Sequence, residues 1–127
     1  MKVDSLYSPM TVTASPRESL AEVASRMRFN DVGSAAILDH GNVVGIITER
    51  DLTRAMADGA DIDTATVADY MTVDPVVVAP EQDAREAAWM MTQMGVRHLP
   101  VVEAGKLIGL LSVRDVLVEL FSAQKSA

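Results

Sequence analysis

The stretch Gly45-Ile46-Ile47-Thr48-Glu49-Arg50-Asp51-Leu52 decides the fold, because it recurs 64 residues later as Gly109-Leu110-Leu111-Ser112-Val113-Arg114-Asp115-Val116. The offset holds without a gap from Val3/Val67 to Leu52/Val116, and eleven of these fifty aligned positions are identical. Unrelated pairing would give about three identities. The chain is therefore one structural unit that occurs twice, and a unit of this length usually completes its core against its copy.

The first copy has a recognisable internal order. Apolar residues at helical spacing after Pro16 predict a helix, for which Ser15 would be the N-cap and Pro16 the first helical residue. Two short apolar runs around residues 39–42 predict a β-hairpin. A second helix is expected from about Thr48 to Met56 or Ala57.

The second copy repeats this order, with a helix around Met91, a hairpin around residues 103–106 and a helix from Ser112 to about Ser122. A short extended segment precedes each first helix, Val12-Thr13 in one copy and residues 76–78 in the other. We therefore predict a β-α-β-β-α repeat with domains 1–63 and 64–127, joined by a polar linker.

Composition excludes several classes of protein. The 127 residues carry a net charge of −7 with no basic cluster, so neither nucleic acid nor an anionic membrane is an expected partner. The absence of cysteine excludes disulfides and thiolate chemistry. No signal sequence and no apolar run long enough to span a bilayer are seen, so we expect a cytoplasmic protein.

Enzyme signatures are equally scarce. The sequence has no Walker phosphate-binding loop, no G-x-G-x-x-G fingerprint and no G-x-S-x-G elbow. Its two histidines, His40 and His98, fall in a predicted turn and at a strand edge, and no spacing indicates a metal site. We therefore expect a protein that is not an enzyme, without catalytic residues or a bound metal.

Two interpretations fit the Thr48/Asp51 and Ser112/Asp115 pairs. At strand-to-helix junctions the hydroxyls can cap free amides, and the carboxylates are favoured by the helix dipole. Alternatively, a carboxylate there can accept both hydrogens of a ribose diol, and the helix start suits phosphate oxygens.

Basic residues add a weaker signal. Arg50 and Arg114 occur in both copies and could reach a phosphate or face solvent. Arg97 and His98 precede a buried strand in the second copy only, and they could supply positive charge to an anionic ligand.

Further motifs point to a family. The sequence resembles the tandem CBS domain pair, named after cystathionine β-synthase, in three motifs. One is the repeated Gly-h-h-Thr/Ser-x-x-Asp-h, where h is a hydrophobic residue and x is any residue. The other two are Val67-Ala68-Asp69-Tyr70-Met71-Thr72 and Gly95-Val96-Arg97-His98-Leu99-Pro100-Val101-Val102. The resemblance covers essentially the whole chain and implies an α+β fold with pseudo-two-fold symmetry. The first copy departs from it, with Gly33-Ser34 opposite Arg97-His98, so the two ligand sites are expected to be unequal.

The resemblance also implies a ligand and its contacts. CBS pairs bind adenosyl ligands in the cleft between the repeats, using the Asp for the ribose and the Thr or Ser close to it. Carried to this sequence, with the basic residues as phosphate contacts and the first strands as walls for the base, the site comprises Val12, Thr13, Thr48, Arg50, Asp51, Val76, Val78, Arg97, His98, Pro100, Ser112, Arg114 and Asp115.

Three functions therefore compete. The first is a stand-alone sensor that requires no cofactor, binds AMP, ADP or ATP (or S-adenosylmethionine or an NAD-like ligand), forms a homodimer and regulates an unknown target protein. The second is a structural dimerisation module without a physiological ligand. The third is an unrecognised nucleotide-processing enzyme. Trp89, Met90, Met91 and Met94, close together on one helix, favour the homodimer.

Overall fold

The computed structural model describes residues 1–9 and 12–126. The chain forms two compact units, which we call the N-unit (Thr11–Pro75) and the C-unit (Met1–Met10 with Val76–Ala127). This grouping differs from the sequence repeats 1–63 and 64–127, because the first segment of each repeat belongs to the unit formed by the other.

The N-unit contains one mixed sheet of four strands in the order β1-β2-β3-β4, with β1 parallel to β2 and the other pairs antiparallel. Its elements are β1 (Thr13–Ala14), α1 (Leu20–Phe29), β2 (Ser34–Asp39), β3 (Asn42–Thr48), α2 (Glu49–Ala57), α3 (Val67–Tyr70) and β4 (Thr72–Val73).

The C-unit is built in the same way around a two-stranded antiparallel sheet. Its elements are a 3₁₀ turn (Val3–Ser5), α4 (Ala84–Met94), β5 (His98–Glu103), β6 (Lys106–Ser112) and α5 (Val113–Ser126). The predicted α+β class is confirmed, as are both hairpins and all four long helices.

The start of α1 differs from the prediction. The helix begins at Leu20, and the N-cap is Ser19, whose hydroxyl accepts a hydrogen bond from the Glu22 amide at 3.1 Å. Ser15 and Pro16 instead open a turn in which the Glu18 amide donates to the Ser15 carbonyl at 3.2 Å. The predicted cap was wrong because Ser19 and Glu22 form the stronger N-terminal signature, which begins four residues downstream of Ser15.

The first strand of the second repeat is also shorter than predicted. In the described structure the segment 76–78 forms a single bridge, from Val78 in parallel to Val101, whereas Thr13 and Ala14, the equivalents of Val77 and Val78, form a strand. In the N-unit the Ala36 amide donates to the Val12 carbonyl at 3.0 Å. Its counterpart in the C-unit is Pro100, which has no N–H, so the matching bond to Val76 cannot form.

Each hydrophobic core is completed by a residue from the other repeat. Val3 is fully buried in the core of the C-unit, and its amide donates to the Gln82 carbonyl at 2.9 Å. Val67 is fully buried in the core of the N-unit, and its amide donates to the Glu18 carbonyl at 2.9 Å. The two repeats have therefore exchanged their first segments.

The exchanged segments also explain why both repeats carry glycine at positions 45 and 109. A Cβ atom at Gly45 would lie 2.5 Å from Sδ of Met71, and one at Gly109 would meet the Tyr7 ring and the Ser8 carbonyl. Ser8 forms an antiparallel bridge with Leu110. At these two positions β3 and β6 are thus crossed so closely that only glycine fits.

We predict that the exchange can be detected by substituting the two buried valines. Val3→Ala should cost about 1–3 kcal/mol through the lost methyl groups and the cavity left behind. Segment-resolved hydrogen exchange should show faster exchange chiefly in β5 and β6, although Val3 precedes the first repeat's strands in sequence. The matched variant Val67→Ala should instead affect β2 and β3. Equal loss of protection in both units with both variants would contradict this assignment.

An ion pair ties α1 to the preceding turn. Nη2 of Arg26 lies 2.6 Å from Oε1 of Glu18, and Nη1 donates to the Thr13 carbonyl at 2.7 Å. The hydrogen bond from Arg26 lowers the pKa of Glu18 despite partial burial, and Glu18 raises the pKa of Arg26. At the equivalent position, Oε1 of Gln82 accepts the Ala79 amide at 2.8 Å, as Oε2 of Glu18 accepts the Ser15 amide at 2.7 Å.

Glu18→Gln should therefore remove the ion pair and keep the backbone contact. Because the folded-state pKa is lowered, the stabilisation is present above the unfolded pKa of about 4.3 and is lost as the pH falls through the folded value. We expect the variant to lose about 0.5–1.5 kcal/mol of unfolding free energy at pH 7 and clearly less at pH 3. Urea titration at both pH values measures this, with the exposed Glu81→Gln as the control. A difference that is the same at both pH values would contradict it.

Candidate ligand-binding site

The predicted carboxylates lie at the first turns of α2 and α5, where they form helix caps. Oδ2 of Asp51 accepts the Thr48 amide at 2.9 Å, and Oγ1 of Thr48 accepts the Asp51 amide at 3.4 Å. In the C-unit, Oδ2 of Asp115 accepts the Ser112 amide at 3.0 Å, and Oγ of Ser112 accepts the Asp115 amide at 3.1 Å. The capping interpretation is therefore confirmed for both pairs, and it leaves ligand binding open.

A third pair shows how common this pattern is. Thr66 and Asp69 form the same reciprocal cap at the start of α3, with Oδ2 of Asp69 accepting the Thr66 amide at 3.2 Å. Asp69 is exposed and lies at the start of a helix of only four residues. The cap alone therefore does not mark a ligand site, and the groups around each carboxylate must decide.

The two carboxylates differ in what engages their second oxygen. Asp51 is only 4% exposed, and its Oδ1 lies 3.4 Å from Nη1 of Arg54, one helical turn later. In the C-unit the position of Arg54 is taken by Val118, and Asp115 is half-buried. In the described part of the chain, Oδ1 of Asp115 has no hydrogen-bond partner, so it can accept from a ligand.

The strand starts lie beside these caps. His98 is paired across the hairpin with Ser112, and the Arg97 carbonyl accepts the amide of Val113 at 2.8 Å. The backbones of Arg97, His98 and Ser112 therefore lie together at the start of α5.

The N-unit has the same backbone arrangement with different side chains. Ser34 is paired with Thr48, and the Gly33 carbonyl accepts the amide of Glu49 at 3.1 Å. Glu49 was not among the predicted site residues. A charged residue at the first helical position is as typical of an ordinary solvent-exposed helix start as of a ligand contact.

Arg50 and Arg114 are exposed at the first turns of α2 and α5. Across residues 1–9 and 12–122, neither forms an ion pair or a side-chain hydrogen bond. Their guanidinium groups are consistent with both alternatives left open by the sequence, a phosphate contact and a solvated surface.

Side chains along the first segment of each repeat point alternately toward the core and toward the surface. Val12 and Val78 are buried in the cores of their units, so only their main chains could contact a ligand. Thr13 and Val76 are partly exposed, and Pro100 is buried. Val77 is exposed and aligns with Thr13, so it is the outward-facing residue of the predicted segment 76–78.

The sequence model of the CBS domain matches residues 3–58 and 67–122, which are the two repeats described above. The chain belongs to the CBS domain family. The recognition made from the repeated Gly-h-h-Thr/Ser-x-x-Asp motif is therefore confirmed.

The curated relatives of this CBS domain pair include an uncharacterized 17.7 kDa protein of Acidianus ambivalens. The two are 39% identical over 116 residues, which is 90% of this chain and 70% of the relative. Another relative, an uncharacterized protein of Methanopyrus kandleri, is 36% identical, and the chain spans 56% of its length.

Solved structures with this fold include two that contain adenosyl compounds. A CBS domain protein from Pyrobaculum aerophilum, complexed with AMP, is 28% identical with a TM-score of 0.85, covering 96% of this chain and 99% of its own. The CBS domain pair of protein MJ0100, in complex with 5′-methylthioadenosine and S-adenosylmethionine, is 25% identical with a TM-score of 0.87, covering 98% of both chains.

The described part of the chain contains neither a candidate metal site nor a helix that could span a membrane. No group of three or more His, Asp or Glu side chains there is arranged to hold a metal ion. Among the helices of that same part of the chain, none is long and apolar enough to cross a membrane.

Proposed function

We propose that this CBS domain pair is a regulatory module that binds an adenosyl ligand, with AMP, ADP or ATP as the preferred class in the C-unit. The observation that carries the proposal is the convergence of Ser112, Asp115, Arg97 and His98 at the start of α5. Two neighbours of the same fold, solved with AMP and with S-adenosylmethionine, support the ligand class.

Each group has a part in this proposal. Oδ1 of Asp115 accepts the hydrogens of the ribose diol while Oδ2 stays on the Ser112 amide. Arg97, Arg114 and the positive end of the α5 helix dipole supply positive potential for phosphate in a protein of net charge −7. The Val76 carbonyl, which Pro100 cannot engage, is an acceptor for an amino group such as that of adenine.

The proposed module performs no chemistry on the ligand and regulates another protein chain. A panel titration by isothermal calorimetry with AMP, ADP, ATP, S-adenosylmethionine, 5′-methylthioadenosine and NAD identifies the ligand. Turnover of any of these would instead favour a nucleotide-processing enzyme.

Asp115→Ala should abolish the ribose contact and keep the fold. We expect the wild type to bind AMP at least tenfold more tightly than 2′,3′-dideoxy-AMP, because each charge-assisted hydrogen bond is worth about 1.5–3 kcal/mol. The variant should bind both ligands equally weakly. Asp69→Ala removes the same kind of cap from α3 and is the control, with unchanged affinity. A wild type that binds both nucleotides equally would show that Asp115 is only a cap.

The outer surface of the C-unit supports the predicted homodimer. Trp89 on α4 is 64% exposed and Phe121 on α5 is 62% exposed, and the two helices pack against each other. Met94, Leu117 and Val118, which lie near Trp89 or Phe121 in the sequence, are also exposed. Met91, by contrast, lies in the core. The equivalent residues of the N-unit are polar or small: Ser25, Asn30, Thr53, Arg54 and Ala57.

This difference between two copies of one fold favours a second copy of the chain as the occupant of the apolar surface. An isologous contact would bury the same uncharged surface on both partners and keep their negative charges apart. The same observation also fits a purely structural dimerisation module, which would differ by lacking ligand binding.

We expect the wild type to sediment at micromolar concentration with twice the monomer mass of 13.6 kDa. The double variant Trp89→Ser/Phe121→Ala places the residues of the N-unit on the C-unit, and we expect it to weaken dimerisation at least 100-fold because two exposed aromatic anchors are lost. Phe29→Gln, which installs the residue found at the equivalent Gln93, should leave the dimer intact. A wild type that sediments only as a monomer would contradict the proposal.

A further inference from the structure

The two copies differ in charge at two positions in backbone contact with each other. In the C-unit these are Arg97 and Val113, and in the N-unit they are Gly33 and Glu49. The contact itself is the same, an amide-to-carbonyl hydrogen bond of 2.8 Å and 3.1 Å respectively. With the same backbone geometry, the C-unit thus has a guanidinium group (Arg97) beside an apolar side chain (Val113). The N-unit instead has a carboxylate (Glu49) beside a residue without a side chain (Gly33).

The carboxylate of Glu49 lies over the position that the missing side chain would occupy. A Cβ atom at Gly33 would be 3.3 Å from Oε1 of Glu49 and 3.5 Å from its Cδ. The N-unit therefore presents negative charge beside the residue that replaces Arg97. The neighbouring Ser34, opposite Thr48, is small and buried and adds no charge.

We propose that the N-unit site takes adenosyl ligands with a neutral or cationic 5′ substituent, such as a thioether or sulfonium, and that Glu49 determines this specificity. The C-unit site takes ligands with an anionic 5′-phosphate. This inference rests on the proposed adenosyl function of both units and adds a ligand class to each.

Arg54 has a smaller and less selective effect. Its side chain is 57% exposed and pairs with Asp51 at 3.4 Å, three residues apart on one helix. Exposed pairs of this kind are worth about 0.2–1 kcal/mol, a factor of about one to five in affinity. Because the charges of Arg54 and Asp51 offset each other, the pair adds little net charge to the site.

The experiment isolates each site by removing the ribose carboxylate of the other. In an Asp115→Ala background, Glu49→Val installs the residue found at Val113, and Glu49→Gln removes the charge while keeping the shape. By calorimetry we expect affinity for AMP to rise about three- to tenfold and affinity for S-adenosylmethionine to fall by a similar factor, as for one screened charge at short range. Affinity for the neutral 5′-methylthioadenosine should change less than about twofold.

Matched variants control for charge and for position. Asp58→Asn removes one negative charge from the opposite end of α2 and should leave all three affinities unchanged. In an Asp51→Ala background, Val113→Glu should produce the reverse shift at the C-unit site, away from AMP and toward S-adenosylmethionine.

The outcomes separate this inference from the proposed function. Suppose that binding depends on the ribose, but neither Glu49 variant changes the ratio of the affinities for AMP and S-adenosylmethionine. That result would overturn the role of Glu49 and leave the adenosyl function standing. Failure of the wild type to bind any compound of the six-member panel given under the proposed function would overturn that function itself. A shift in the ratio with both Glu49→Val and Glu49→Gln supports the inference, and agreement between these two variants excludes a packing effect.

Discussion

The structure depends on one constraint: β3 and β6 are each crossed at close range by a segment from the other repeat. Gly45 and Gly109 leave room for Met71 and Tyr7, and this crossing leads Val67 and Val3 into the two cores. Burial of a valine side chain contributes about 1.5–3 kcal/mol, a large share of the stability of a unit this small. The crossed strands β3 and β6 end directly at the caps of α2 and α5, so the same contact holds the strand ends from which both candidate sites are built.

Local signals predicted most of the elements and failed where two signals competed. The hairpins and helices followed from apolar periodicity and turn residues. The α1 start was misplaced because Ser15-Pro16 and Ser19-x-x-Glu22 are both good helix openings, and only the second satisfies the helix amides. The exchange of first segments was not predictable, since the two repeats carry equivalent segments and a periodic pattern does not say which copy receives which.

The candidate sites were predictable in position but not in detail. Asp51 and Asp115 stand where the repeated motif predicted them, yet Asp69 forms the same cap without the other groups. What distinguishes the sites comes from Glu49 and Arg54, whose residue types alone suggested only solvent exposure. Their roles depend on side-chain direction and on hydrogen bonds across the hairpin, which a single sequence does not encode in any local pattern.

Comparison of the two copies separates what the fold requires from what a site requires. Positions that hold the fold are alike in both units, including the crossed glycines and the caps, whereas the outer helix face and the strand start differ. In the C-unit one helix connects the two differences, because α5 begins in contact with the Arg97 carbonyl at the strand start and carries Leu117, Val118 and Phe121 within its first three turns. With a rise of about 1.5 Å per residue, Asp115 and Phe121 are separated by about 9 Å along the axis. A single helix therefore joins the candidate ligand site of the C-unit to its exposed apolar surface, and the N-unit, with Thr53, Arg54 and Ala57 at the equivalent positions, has no such connection.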